Sequence, residues 1–168
     1  MDKDILQIFY ITYSREVYLY LFGLCHDRYL AEDITQEAFV KALLSLPNSN
    51  KNVRAWLYKV ARNLYFDNVR RTERESLGKE RRGISDEQFQ GDVLTDLIEE
   101  EENRSLYEAL AKLSRRKREI LLLQYFSGLS QKEIGKVLEI TAENVRVLAF
   151  RAKKEVREYL KEAGYEIQ

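Results

Sequence analysis

The chain has 168 residues, of which 45% are hydrophobic and 33% charged, with a formal net charge of zero; this suits one ordinary domain or two small ones and excludes a wholly disordered chain. One cysteine and one histidine exclude an internal disulfide and a Cys/His zinc cluster. The N-terminus opens with mixed charge, and no run reaches the ~18 apolar residues of a membrane span, so the expectation is a soluble cytoplasmic protein with no membrane insertion.

Ile5, Ile8, Phe9, Tyr13, Val17, Tyr20, Leu21 and Leu24 recur at three- and four-residue steps and predict a first amphipathic helix. Cys25, in LFGLC, reads as a small buried apolar residue. His26, in CHDR, reads as a polar cap at the helix end. A second helix is predicted over roughly Ala31 to Leu44, and its stretch DITQEAFVKAL gathers Asp33, Gln36, Glu37 and Phe39. Such a group has three chemical uses: holding a metal, acting as acid and base, or docking another protein. Asp33 and Glu37 share a helix face at i and i+4, but no histidine and no third carboxylate completes a site there.

SLPNSNKN contains the single proline and a cluster of turn formers, so it is predicted to be a loop. The third helix, VRAWLYKVARNLYFDNVRR, is expected to bury Leu57, Val60, Ala61 and Leu64, leaving an exposed Trp56 with Lys59, Asn63, Asp67 and Arg70 on the other face. The rings of Trp56, Tyr58, Tyr65 and Phe66 are of the kind that stacks on unpaired bases. Core packing is the competing role, favoured for Tyr58 and Phe66.

Charge is unevenly distributed along the chain. Residues 1–71 carry ten Lys and Arg against eight Asp and Glu, 72–103 carry four against eleven, and 104–168 carry fourteen against nine. The middle stretch also holds three of the seven glycines and the acidic run Glu99 to Glu102. It reads as a flexible, solvated acidic linker, the less favoured alternative being an autoinhibitory strip that folds over the basic C-terminal part until a partner displaces it.

Leu106, Leu110 and Leu113 mark the next helix, Ser114 is placed to cap RRKREILLLQYF, and Gly128 to end it. In SQKEIGKVLEITAENVRVLAFRAKKEVREYL, Ser130 and Glu133 have capping-box spacing, Glu139 and Ile140 form a turn, and Thr141 caps a further helix. With Gly135 small enough for a close crossing, this is the form of a helix-turn-helix. Thr141, Ala142, Glu143, Asn144, Arg146 and Val147 then lie where such a motif meets base edges, Asn suiting adenine and Arg guanine. Arg151, Lys153, Lys154 and Arg157 supply cations for phosphates.

Taken together and in this order, DRYLAEDITQEAFVKAL, VRAWLYKVARNLYFDNVRR, the acidic stretch and LAKLSRRKREILLLQYFSGLSQKEIGKVLEITAENVRVLAFRAKKEV resemble an extracytoplasmic-function (group IV) RNA polymerase sigma factor. The resemblance implies an all-α chain of two small helical domains: sigma region 2 over 1–71, a flexible acidic linker over 72–103, and sigma region 4 with its helix-turn-helix over 104–168. It further implies that Asp33, Gln36, Glu37 and Phe39 dock on the coiled coil of the polymerase β′ subunit, with the β subunit also a partner. Asn48, Ser49, Asn50 and Asn52 correspond to the segment that captures a flipped base of the −10 element. Trp56, Asn63, Asp67 and Arg70 match the helix that abuts the melted strand, with Asp67 alternatively holding Arg70 or Arg71. Thr141, Glu143, Asn144, Arg146, Val147, Arg151 and Lys154 fall on the helix that reads the −35 element. The implied partners are core RNA polymerase, promoter DNA and an anti-sigma factor.

Two departures stand out. Ser114 occupies a position where many members have Pro, and the family's frequent Gly-Thr-Val-Lys-Ser-Arg is here Glu143-Asn144-Val145-Arg146-Val147-Leu148. A −35 preference of its own is therefore expected. The sequence has no Gly-rich phosphate loop and no nucleophile paired with a base, so neither catalysis nor a cofactor or metal is expected. A helix-turn-helix regulator acting without polymerase would account for residues 104–160 but would leave DITQEAFVKAL and the aromatic helix without a role. A protein that only sequesters polymerase or a sigma factor would need no register of base-reading residues.

Overall fold

The computed structural model describes residues 3–45, 52–76 and 101–164. Every regular element among them is helical, and they group into two compact units. None of these helices is long and apolar enough to cross a membrane.

The first unit contains α1 (Lys3–Cys25), α2 (Arg28–Ser45) and α3 (Val53–Glu75). His26 sits between α1 and α2 with φ of 53°, in the left-handed region, and its N–H donates to the Phe22 carbonyl at 2.8 Å. It is buried against Phe22. Its backbone closes α1, and Asp27 caps α2, its Oδ1 accepting the N–H groups of Tyr29 and Leu30 at 3.0 and 3.2 Å. The chain thus folds back, and Phe39 of α2 meets Phe9 and Tyr10 of α1 edge to face, with centroids 5.4 and 4.9 Å apart.

The core is deepest in the second half of α1, where α2 and α3 both pack: Val17, Tyr20, Leu21 and Phe22 are fully enclosed, and Tyr20 meets Tyr58 at 5.4 Å. In the first half, α2 covers the side that Phe9 faces. Ile5 and Ile8, expected inward, are therefore exposed, and the buried stripe begins at Phe9. In α3 the stripe runs through Leu57, Tyr58, Ala61, Tyr65 and Phe66, with Val60 and Leu64 only half-buried. Helix α3 continues through Glu75 and the next helix starts at Glu101, so helix enters both ends of the expected 72–103 linker. Its acidic run up to Glu100 lies outside the described residues.

The second unit contains α4 (Glu101–Lys112), α5 (Arg115–Leu122), a single π turn (Leu123–Ser127), α6 (Gln131–Leu138) and α7 (Ala142–Glu162). Ser114 caps α5 by accepting the Lys117 N–H, and Gly128, with φ of 67°, ends the π turn. Helix α7 is the hub: α4, α5 and α6 all pack on its stripe of Val145, Ala149, Ala152 and Val156.

Candidate functional site

On α2 the inward positions are Ala31, Ile34, Thr35, Ala38, Phe39 and Ala42. The Thr35 hydroxyl donates to the Ala31 carbonyl at 2.7 Å, so its burial leaves no polar group open. Asp33, Gln36 and Glu37 are exposed together on the opposite side. Phe39, only 5% exposed, does not join them; its ring fixes α2 against α1 from beneath. Val40 and Leu44 extend the acidic row by one and two turns and are 54% and 78% exposed. Their spacing from Glu37 was readable in the sequence, but they resemble core residues until α1 is seen to pack elsewhere.

At the start of α3, Asn52 takes the left-handed conformation with φ of 72° and gives no side-chain cap. Asn48, Ser49 and Asn50 lie outside the described residues. Trp56, expected exposed, is half-buried; Asn63, Asp67 and Arg70 are exposed. Asp67 Oδ1 accepts from the Arg70 guanidinium, so the acid restrains the cation beside it. Tyr58, Tyr65 and Phe66 are core residues and present no face to a base. Burial, with the Glu16 carboxylate nearby as a second cause, pushes the Tyr58 phenol far above its ordinary range. Burial also raises Glu16, and Arg54 opposes that shift; the Arg54 guanidinium stacks over Tyr13 at 5.0 Å.

The helix-turn-helix follows from local chemistry. Ser130 accepts the Glu133 N–H at 3.1 Å and Glu133 accepts the Ser130 N–H at 3.0 Å, closing the capping box of α6. Glu139 takes φ of 59° to make the turn, and Ile140 donates to the Gly135 carbonyl at 2.9 Å. Thr141 then caps α7 through the Asn144 N–H at 3.1 Å. Glu143, Asn144, Arg146, Arg151, Lys153, Lys154 and Arg157 are exposed, and Val147 is half-buried.

Two features of this unit escaped the sequence reading. Phe150, 71% exposed, stands on the outer face seven residues after Glu143 and four after Arg146. Only that spacing signalled it. The basic turn at the start of α5 serves packing: Arg118 donates to the carbonyls of Leu110, Ala111 and Leu113 at the end of α4. Arg116 reaches the Leu138 carbonyl at the end of α6, and Lys117 pairs with Glu155 of α7 at 2.6 Å.

Comparison with known proteins agrees with this division. Residues 9–75 match the Sigma-70 region 2 family and residues 103–156 the Sigma-70, region 4 family. The chain is 31% identical over 153 residues to the ECF RNA polymerase sigma factor SigM of Bacillus subtilis, covering 88% of this chain and 90% of that one. It is 25% identical to SigW of the same organism, covering 96% and 91%. Among solved structures, the sigma factor RpoE bound to the anti-sigma factor NepR from Bartonella quintana has the same fold, with a TM-score of 0.74, 21% identity and coverage of 95% of this chain and 98% of that one. CnrH in complex with the cytosolic domain of CnrY gives 0.69, with 20% identity and coverage of 98% and 92%.

Proposed function

The chain belongs to the ECF RNA polymerase sigma factors, and from that premise we propose that it is a non-catalytic, cytoplasmic initiation factor whose α2 carries it onto core polymerase and whose α3 and α7 meet promoter DNA. The observation that carries this reading is the presence, in one chain, of an exposed acidic row on α2 and an exposed basic face on the second helix of a helix-turn-helix. A regulator acting on duplex DNA alone has no use for the first.

In this reading Asp33, Gln36 and Glu37 form polar contacts to the coiled coil of the β′ subunit, Val40 and Leu44 add apolar area beside them, and Phe39 holds the helix at the right height. Domain limits of 1–71, 72–103 and 104–168 are proposed for region 2, linker and region 4, with α3 and α4 running a few residues into the two ends of the linker. Asn48, Ser49, Asn50 and Asn52 are proposed to take the flipped −10 base, with Trp56, Asn63 and Arg70 along the opened strand. Asp67 acts through Arg70. On α7, Thr141 sets the start of the helix, Glu143, Asn144, Arg146, Val147 and Phe150 face base edges of the −35 element, and Arg151 and Lys154 face phosphates. The two solved structures of similar fold contain anti-sigma factors or, for CnrH, the cytosolic domain of CnrY; an antagonist of this class is proposed for this chain.

The test is co-elution of the full chain with bacterial core polymerase on a sizing column, beside an Asp33→Lys, Glu37→Lys variant. Co-elution lost in the variant supports the docking row. Elution of the wild-type chain by itself, where another sigma factor binds, would refute the reading.

A further inference from the structure

The outer face of α7 begins with a carboxylate. Glu143 is exposed in the first turn, and Arg146, Val147, Phe150, Lys154 and Arg157 follow on the same side. Phosphates repel a carboxylate, so an acid at the leading edge of a docked helix is favourable only where it passes the backbone and finds a hydrogen-bond donor on the groove floor. Two plainer roles exist. An acid in the first turn complements the helix dipole, and Glu143 Oε1 lies 3.6 Å from Arg146 Nη2. With the two side chains 78% and 66% exposed, respectively, solvent screens both effects and neither accounts for much stability.

We propose that Glu143 is a specificity-determining residue whose carboxylate accepts the N4 amino hydrogen of a cytosine in the −35 element, while Arg146 beside it donates to N7 and O6 of a neighbouring guanine. This rests on the reading of α7 as the −35 helix. A carboxylate only accepts hydrogen bonds. In the major groove guanine offers acceptors and thymine an acceptor and a methyl group, which leaves the two amino-bearing bases. Adenine sets an N7 acceptor beside its amino group and so suits an amide that both donates and accepts; cytosine offers its amino donor without that neighbour. The i and i+3 spacing sets the two side chains side by side on this face, with Glu143 Oε1 and Arg146 Nη2 3.6 Å apart, so they read a C and a G as a unit.

The experiment is selection by reconstituted holoenzyme from promoter duplexes randomised through the −35 element, with the wild-type chain, Glu143→Ala, Glu143→Gln and Arg146→Ala. The wild-type selection is expected to retain a cytosine whose enrichment falls about 10-fold in Glu143→Ala, on the scale of one lost base contact. Glu143→Gln, which keeps shape and packing, should move that position toward adenine. Arg146→Ala should relax the guanine. If Arg146→Ala changes the selected sequence while Glu143→Ala leaves it intact, or weakens all sequences alike, the inference is overturned and α7 keeps its role. If neither variant changes it, the reading of α7 fails as well.

Discussion

Gly135→Ala isolates the contact on which the helix-turn-helix closes. A methyl group at Gly135 would stand 2.6 Å from the Ile140 carbonyl oxygen and 3.4 Å from Ala142 N and Thr141 C. All three are backbone atoms of the turn, and the Gly135 carbonyl is itself bonded to Ile140 N–H, so relief requires α6 and α7 to separate. Overpacking of this kind costs about 1–3 kcal/mol, and replacing a helix-interior Gly by Ala returns about 1 kcal/mol of propensity. Because backbone yields less than a flexible side chain, the net destabilisation should be about 1–2 kcal/mol. With a urea slope of about 1 kcal/mol/M for a unit this small, the midpoint falls by about 1–2 M. Circular dichroism of the full chain follows both units, whereas Trp56, the single tryptophan, lies in the first. The shift should appear in the ellipticity that Trp56 emission does not follow. An unchanged or raised midpoint in that component would refute the argument, because propensity alone would then have decided the outcome.

Phe150→Ala removes a ring that is 71% exposed and should leave unfolding within about 0.5 kcal/mol of wild type while weakening promoter binding in a gel-shift assay with holoenzyme; unchanged binding would remove Phe150 from the DNA face. Lys154→Ala should weaken all promoters alike and reduce the slope of log affinity against log salt by about 1; a sequence-dependent loss would count against a phosphate role. Cys25 is buried, with its thiol pushed from 9.0 up to about 12. Its neutral form favours the fold at any pH below 9.0, and that stability is lost as pH rises toward about 12, because the unfolded thiol ionises first. Tyr58 shifts in the same direction. Urea midpoints followed by Trp56 should therefore drop between pH 8 and pH 10, and a flat profile would contradict this. At pH 8 a thiol reagent should label Cys25 only on unfolding.

The parts legible in the sequence are those that local chemistry decides. Ser114, Ser130 with Glu133, and Thr141 each cap the helix expected of them, because a hydroxyl and an N–H three residues on need no distant partner. Burial was harder to read. Ile5 and Ile8 keep helical spacing with the core residues, yet only packing determines where along α1 a second wall begins. The same limit hid Phe39, which sits among Asp33, Gln36 and Glu37 in sequence but turns inward. It also left Phe150, 71% exposed, outside the residues expected on the DNA face. The partners of Arg116, Lys117 and Arg118 belong to other helices, 22, 38 and 8 residues away along the chain for Leu138, Glu155 and Leu110. No local pattern in RRKR announces them. For Asp67 the sequence left two roles open, abutting the opened strand or holding Arg70 or Arg71, and the structure pairs it with Arg70.

The π turn between α5 and α6 sets how far the chain can vary in length there. Ser127 ties it off, donating to the Leu123 carbonyl and accepting the Leu129 N–H at 3.1 Å, and Tyr125 projects outward while Leu122 and Leu123 stay inside. A π turn is an α-helix with one residue too many. Deleting one residue here would return the turn to regular α pattern with its hydrogen bonds intact, and because the wide turn absorbs its extra residue locally, the chain beyond it would keep its heading. The same deletion within a regular helix would instead turn everything after it by about 100°, so this short stretch is where a change of length passes least on to α7.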